Sequence, residues 1–211
     1  MDAGKKLARI GRQTTRLPNT TGPSSEGTQL PGFPRSYWMS NSFGTEATPS
    51  ALTTPSGPDQ LRLTFGCFPS GVIAVCAMRN QRPAGMVVSS FTSVSLDPAL
   101  VSICIMNSSQ TWASLRDAPR LGLSILGDEQ EPTCRQLASR SPDRFADVEY
   151  ECTAEGAVLL SGATAWLDCA LHDEFRAGDH TIVVLAIRGL HAHPTARPLV
   201  FHGSRYRRIT T

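Results

Sequence analysis

Two long extended runs joined by a short turn set the strongest limit on how this chain folds. Residues 158–175 alternate, with Ala163, Ala165, Leu167, Cys169 and Leu171 on one face, the period-two signature of a strand half buried against a core. After Ala177-Gly178-Asp179, residues 181–190 are apolar on both faces over much of their length, which suits a barrel strand packed inside and covered outside. Upstream, residues 71–78, 84–95, 99–106 and 121–126 read as further strands, the first closed by a turn at 79–83. Short helices fit 111–118, before Pro119, and 131–139, where Pro132 takes a first helical position. Several long strands, few helices and no βαβ rhythm predict a mostly β, antiparallel barrel.

The first 58 residues have a different texture. They hold seven of the 15 prolines and seven of the 17 glycines, mixed with Ser and Thr and without apolar period. Such a stretch buries too little apolar surface to offset its ordering entropy, so residues 1–58 read as a disordered N-terminal extension and 59–211 as one folded domain. The basic first 16 residues read as a solvated tail rather than a transit peptide, and no apolar signal segment is seen.

Charge and composition exclude several chemistries. Lys5 and Lys6 are the only lysines, so the folded part cannot build a P-loop, a Schiff-base site or an S-x-x-K nucleophile. Residues 59–211 carry 14 basic and 15 acidic side chains, which argues against nucleic acid as a partner. The longest apolar run, residues 72–78, has seven residues, against roughly 20 for a membrane helix. The six cysteines form no C-x-x-C and read as reduced thiols of a cytoplasmic protein, Cys76 and Cys104 as small hydrophobes within apolar strands. His191 and His193 share a strand face, but no carboxylate or thiol joins them at short spacing, so no metal site is expected.

The motif search is negative for G-x-G-x-x-G, G-x-S-x-G and H-E-x-x-H. Three other segments stand out. Phe68-Pro69-Ser70-Gly71-Val72 is a turn into a strand. Residues 89–95 pack five hydroxyl side chains into seven positions around Phe91 and Val94, neutral donors and acceptors that suit an uncharged polar ring system. Ala177-Gly178-Asp179-His180 is a glycine-bearing turn between the two longest strands. Each also has an ordinary reading, as β-forming serines and threonines or as a simple hairpin turn.

Together, with Gly85-Met86 before the hydroxyl block, Leu96-Asp97-Pro98 after it and Ser141-x-Asp143-Arg144-Phe145 later, these segments resemble the short-chain flavin reductases of two-component flavin monooxygenases over about residues 60–209. The resemblance implies an FMN-binding split β-barrel, a homodimer with flavin near the subunit interface, and reduction of FMN or FAD by NADH or NADPH. It places Ser70, Gly71 and Val72 beside the flavin, Ser89 and Ser90 along its ring and ribityl chain with Ser93 close by, and Asn107 and Thr111 at the ribityl-phosphate end. Gly178, Asp179 and His180 match the turn that meets the nicotinamide. Arg144 stands where relatives usually have lysine, which keeps the charge and changes the donor geometry. Val87 and Val88 depart from the family's Thr-Ala or Thr-Val.

Hydride transfer between nicotinamide and flavin needs no protein nucleophile, because the cofactors carry the chemistry. His180 is therefore the expected catalytic contact, orienting the nicotinamide or its phosphates. The implied partner is a flavin-dependent monooxygenase that receives reduced flavin, including by free diffusion. The alternatives are a split-barrel flavoprotein holding FMN as a prosthetic group and acting on another substrate, and a non-catalytic ligand-binding barrel. Arg205, Arg207 and Arg208 are the loosest candidates for a 2′-phosphate contact.

Overall fold

A computed structural model describes residues 52–209; the basic tail and most of the expected extension lie outside the described residues. A short helix α1 (Pro58–Phe65) leads to a two-residue strand β1 (Ser70–Gly71). There follow β2 (Ile73–Arg79), β3 (Arg82–Val88), β4 (Thr92–Leu96), β5 (Ala99–Met106), helix α2 (Gln110–Leu115), β6 (Leu121–Ile125), helix α3 (Glu131–Ala138), β7 (Tyr150–Cys152) and β8 (Val158–Leu160). The two longest strands, β9 (Ala165–Ala177) and β10 (His180–Ala192), precede β11 (Leu199–His202) and β12 (Arg205–Arg208). The expectation of a mostly β, antiparallel fold with a few short helices holds.

Seven strands form the main sheet in the order β3-β2-β6-β9-β10-β5-β4, and β1-β11-β12 and β7-β8 form two small ones. Strands from both halves of the main sheet feed one shared inner core. Ile73 and Val75 of β2, Ile103 and Ile105 of β5, Leu121 and Leu123 of β6, and Val183 and Leu185 of β10 pack together, with Trp112 and Leu115 of α2. The sheet is thus rolled around its core, as a split barrel requires.

The apolar run at 72–78 acquires a physical reason here. Ile73, Val75 and Ala77 face the inner core, while Val72, Ala74 and Cys76 face a second core with Cys134, Leu137, Val158 and Leu199. A strand covered on both faces shows no alternation. At Gly122 of β6, a Cβ would sit 2.0 Å from the Val158 carbonyl oxygen, so only glycine lets β8 lie this close. Residues 183–186 of β10 are buried on both faces, as expected, but Leu190 is 70% exposed.

Three local expectations change. The run 84–95 is two strands broken at 89–91, and the run 158–175 is β8 and β9 separated by residues 161–164. Period-two alternation continues through such breaks, so it does not mark them. Cys104 is exposed, because its neighbours Ile103 and Ile105 take the inward positions of β5.

Candidate functional site

The break at 89–91 opens a cleft of about 690 Å³ between the end of β3, the end of β5, the entry to α2 and the start of β10. Ser89, Ser90 and His180 meet on its walls, with Cys104, Met106 and Arg140. Registration explains the meeting of distant residues: His180 pairs with Met106 and Ile182 with Cys104 across the β5–β10 ladder.

Ser90 has a structural task at this cleft. Its Oγ accepts the Cys104 amide hydrogen at 2.8 Å and donates to the Cys104 carbonyl at 3.0 Å. Thr92 pairs with Ser102 in the β4–β5 ladder, so the Ser90 hydroxyl continues that ladder one step beyond β4. Ser89 is exposed and lines the cleft.

The turn before His180 is held from β5. Gly178 has φ +64°, a left-handed conformation that favours glycine. Asn107 clamps the turn: its Nδ2 donates to the Gly178 carbonyl at 3.1 Å, and its backbone N–H to the Asp179 carbonyl at 3.0 Å. The Thr181 hydroxyl donates to Asn107 Oδ1 at 2.7 Å. His180 Nδ1 lies 2.7 Å from Asp179 Oδ1. That hydrogen bond, then the charge of the imidazolium, holds the Asp179 carboxyl below the ordinary aspartate range. With Nδ1 engaged by Asp179, Nε2 is the ring nitrogen left without a hydrogen-bond partner among the described residues.

A second cavity of about 500 Å³ lies on the other side of α2's entry, lined by Asn107, Trp112, Arg116, Glu174, Arg176 and Thr181 among others. Trp112 Nε1 donates to Glu174 Oε1 at 2.9 Å, and Arg116 pairs with the same carboxylate. This wall was not legible from motifs, since its residues are spread over the end of β5, α2, the end of β9 and the start of β10.

Other expected residues stand apart from the cleft. Ser70 and Gly71 pair with Phe201 and Val200 of β11. Val72 is buried beside a small cavity of about 130 Å³ that it shares with Ser89 and Tyr206. Ser93 pairs with Val101 and lines none of these cavities. Thr111 lines a third, larger cavity, where its Oγ1 accepts from Arg144 Nη2 at 3.2 Å. Arg208 is bound to Glu129 by two contacts of 3.1 and 3.3 Å. His191 and His193 pack on Trp166, each with centroids 5.9 Å from the indole; no metal-binding group of His, Cys, Asp or Glu occurs among the described residues.

The cleft suits an uncharged heteroaromatic ring with a polar edge. It offers apolar walls at Met86, Val88 and Ile105, hydroxyls at Ser89 and Ser108, one imidazole, and Arg140 as its only cation. A flavin's ring and ribityl chain match that donor set, and Arg140 supplies a charge for a phosphate.

Comparison with known proteins agrees. The family described as "Flavin reductase like domain" matches residues 65–210. An NADH-dependent FAD reductase of Streptomyces globisporus is 39% identical over 168 residues, 77% of this chain and 92% of that protein. The reductase subunit HsaB of a flavin-dependent monooxygenase from Rhodococcus jostii strain RHA1 is 31% identical over 149 residues, 71% of this chain and 76% of HsaB. The structure of the Streptomyces globisporus NADH:FAD oxidoreductase SgcE6, in complex with NAD and FAD fragments, superposes with a TM-score of 0.71 at 38% identity, covering 75% of this chain and 96% of that one.

Proposed function

Because the chain belongs to the flavin reductase-like family and is an NAD(P)H-dependent flavin reductase, we propose that the cleft between Ser89 and His180 is where it holds flavin against nicotinamide. The observation that carries this is the meeting of the hydroxyl block and the Gly178–His180 turn on one cavity. Bound together, the two cofactors supply the hydride donor and acceptor.

The protein's residues have binding and positioning roles. Ser89 and Ser108 offer hydroxyls to the polar edge of the ring, and Met86 and Ile105 exclude water from its faces. Arg140 meets a phosphate. His180 orients the nicotinamide side through its free Nε2, and Asn107 fixes the turn that carries it. Gly178 and Asp179 shape that turn. Ser70, Gly71, Val72, Ser93 and Thr111, which the resemblance places at the flavin, line no wall of this cleft and are given no contact role in it.

Reduced flavin then passes to a separate monooxygenase component, by free diffusion where no complex forms. A homodimer is supported by the exposed apolar side chains Val94 and Leu96 of β4 and Met106 at the end of β5, which a second copy would cover. Residues 1–58 serve as an extension outside the catalytic domain. The cytoplasm suits the free thiols of all six cysteines. NADH and NADPH oxidation measured with FMN, FAD and riboflavin tests the proposal: saturation in added flavin supports it, and no oxidation with any of them refutes it.

A further inference from the structure

Resting on that reading, we propose that Glu174 is a positioning residue for the reaction: its carboxylate ties helix α2 to the β9–β10 hairpin and so sets His180 against the hydroxyl wall of the flavin cleft. Glu174 does not itself line that cleft, so its effect on the cofactors is exerted through the residues it holds.

The hairpin needs such a tie. β6 pairs with β9 only from Ala165 to Cys169, so residues 170–177 of β9 have β10 as their one ladder partner among the described residues. Val184 pairs with Asp173 and Leu185 with Leu171, which leaves His172 as an extra residue in β9. A bulge of this kind bends the strand that carries it. Beyond the bend lie Glu174, paired with Val183, and then the turn that carries His180.

Two attachments hold this bent arm. At the turn, Asn107 bonds the carbonyls of Gly178 and Asp179. Before the turn, both carboxylate oxygens of Glu174 reach α2: Oε1 accepts from Trp112 Nε1 at 2.9 Å, and Oε2 accepts from Arg116 Nη2. One attachment leaves a hinge, whereas two separated ones fix the angle of the arm. The Glu174 side chain is only 18% exposed, and withdrawal from water strengthens both charge-assisted bonds.

The other end of the tie belongs to the opposite wall. Trp112 is buried in the inner core with Ile105 and Leu185, and its backbone N–H donates to Ser109 Oγ at 3.1 Å. Ser109, Ile105 and Met106 line both the 500 Å³ cavity beside Glu174 and the flavin cleft. With six residues, α2 is too short to hold its direction by its own hydrogen bonds. Glu174 therefore registers the wall that carries Ser108 and Ser109 against the wall that carries His180.

Steady-state NADH oxidation and flavin-fluorescence titration of the full chain test this. Glu174→Ala should raise KM for NADH about fivefold to tenfold, with a smaller fall in kcat and flavin affinity changed less than about twofold. Glu174→Gln, which keeps an oxygen for the Trp112 N–H, should recover most of the loss. In a His180→Ala background, Glu174→Ala should add less than about twofold, since its effect runs through that imidazole. Arg116→Gln, at a half-exposed side chain, should shift KM in the same direction and replaces Glu174→Ala where that variant does not fold. A KM for NADH within about twofold of the unmutated value, equal losses of NADH and flavin binding, or full additivity with His180→Ala overturns the positioning role. Failure of the flavin reductase reading looks different and ends both: the unmutated chain then oxidises no NADH with FMN, FAD or riboflavin.

Discussion

Ser90 Oγ is bonded to both backbone polar groups of Cys104, at 2.8 and 3.0 Å. One hydroxyl therefore extends the β4–β5 ladder past the end of β4 and ties the 89–91 break to β5. The same commitment leaves Ser90 little to offer a ligand. In the proposed site Ser90 is a positioning residue and Ser89 the neighbour offered to the ligand.

Ser90→Ala should cost about 1–2 kcal/mol of stability, the net worth of two hydrogen bonds, and weaken flavin binding by loosening Ser89. Urea unfolding and flavin titration check it. Unchanged stability with a large loss of flavin affinity would instead make Ser90 a direct ligand.

His180→Ala should raise KM for NADH more than it lowers kcat, with flavin affinity largely kept, because the imidazole orients and does not supply the hydride. Asn107→Ala should act in the same direction through the turn it clamps. Loss of hydride transfer with both binding constants intact would refute the orienting role of His180.

Asp179 is held ionised by His180, so its carboxyl should titrate below the ordinary aspartate value when followed by NMR. A depressed folded-state pKa means the pair is fully present above the unfolded value and is lost as pH falls through the folded one. His180→Ala should bring the titration back toward the ordinary value.

Thiol reactivity should divide the cysteines in two. Burial pushes the Cys76 and Cys169 thiols up to about 12 and also raises Cys134, which removes reactive thiolate at neutral pH. Mass spectrometry after brief alkylation of the native protein should find label on Cys67, Cys104 and Cys152, and saturating flavin should protect Cys104 alone among these three.

A chain starting at Asp59 should retain flavin reduction, since every residue lining the cleft lies beyond it. Steady-state NADH oxidation measures this, and an inactive but folded truncation would give the extension a part in catalysis.

Much of the architecture was legible because strand periodicity is a local property. The alternation before Gly178, the apolar run after it, and the turn between them specify β9 and β10, and residues 99–106 were read with their observed bounds. β11 and β12 were not read, being short strands next to turns. The site was partly legible. The hydroxyl block and Gly178-Asp179-His180 are contiguous, so their composition is visible in the chain. Arg140 and the pairing of Trp112 and Arg116 with Glu174 are not, since each is an unremarkable residue until the fold brings it to a wall.

The sequence by itself therefore determined the fold class, the family and the segments from which the cleft is made, because periodicity, turn chemistry and contiguous motifs are written in neighbouring residues. The tertiary structure alone decided which serine is free and which is spent, and which arginines lack a counter-ion. Those properties depend on pairings such as Ser90 with Cys104 and Arg144 with Thr111, 14 and 33 residues apart. Hydrogen-bond commitment is a matter of distance in space, which sheet registration sets and chain order does not.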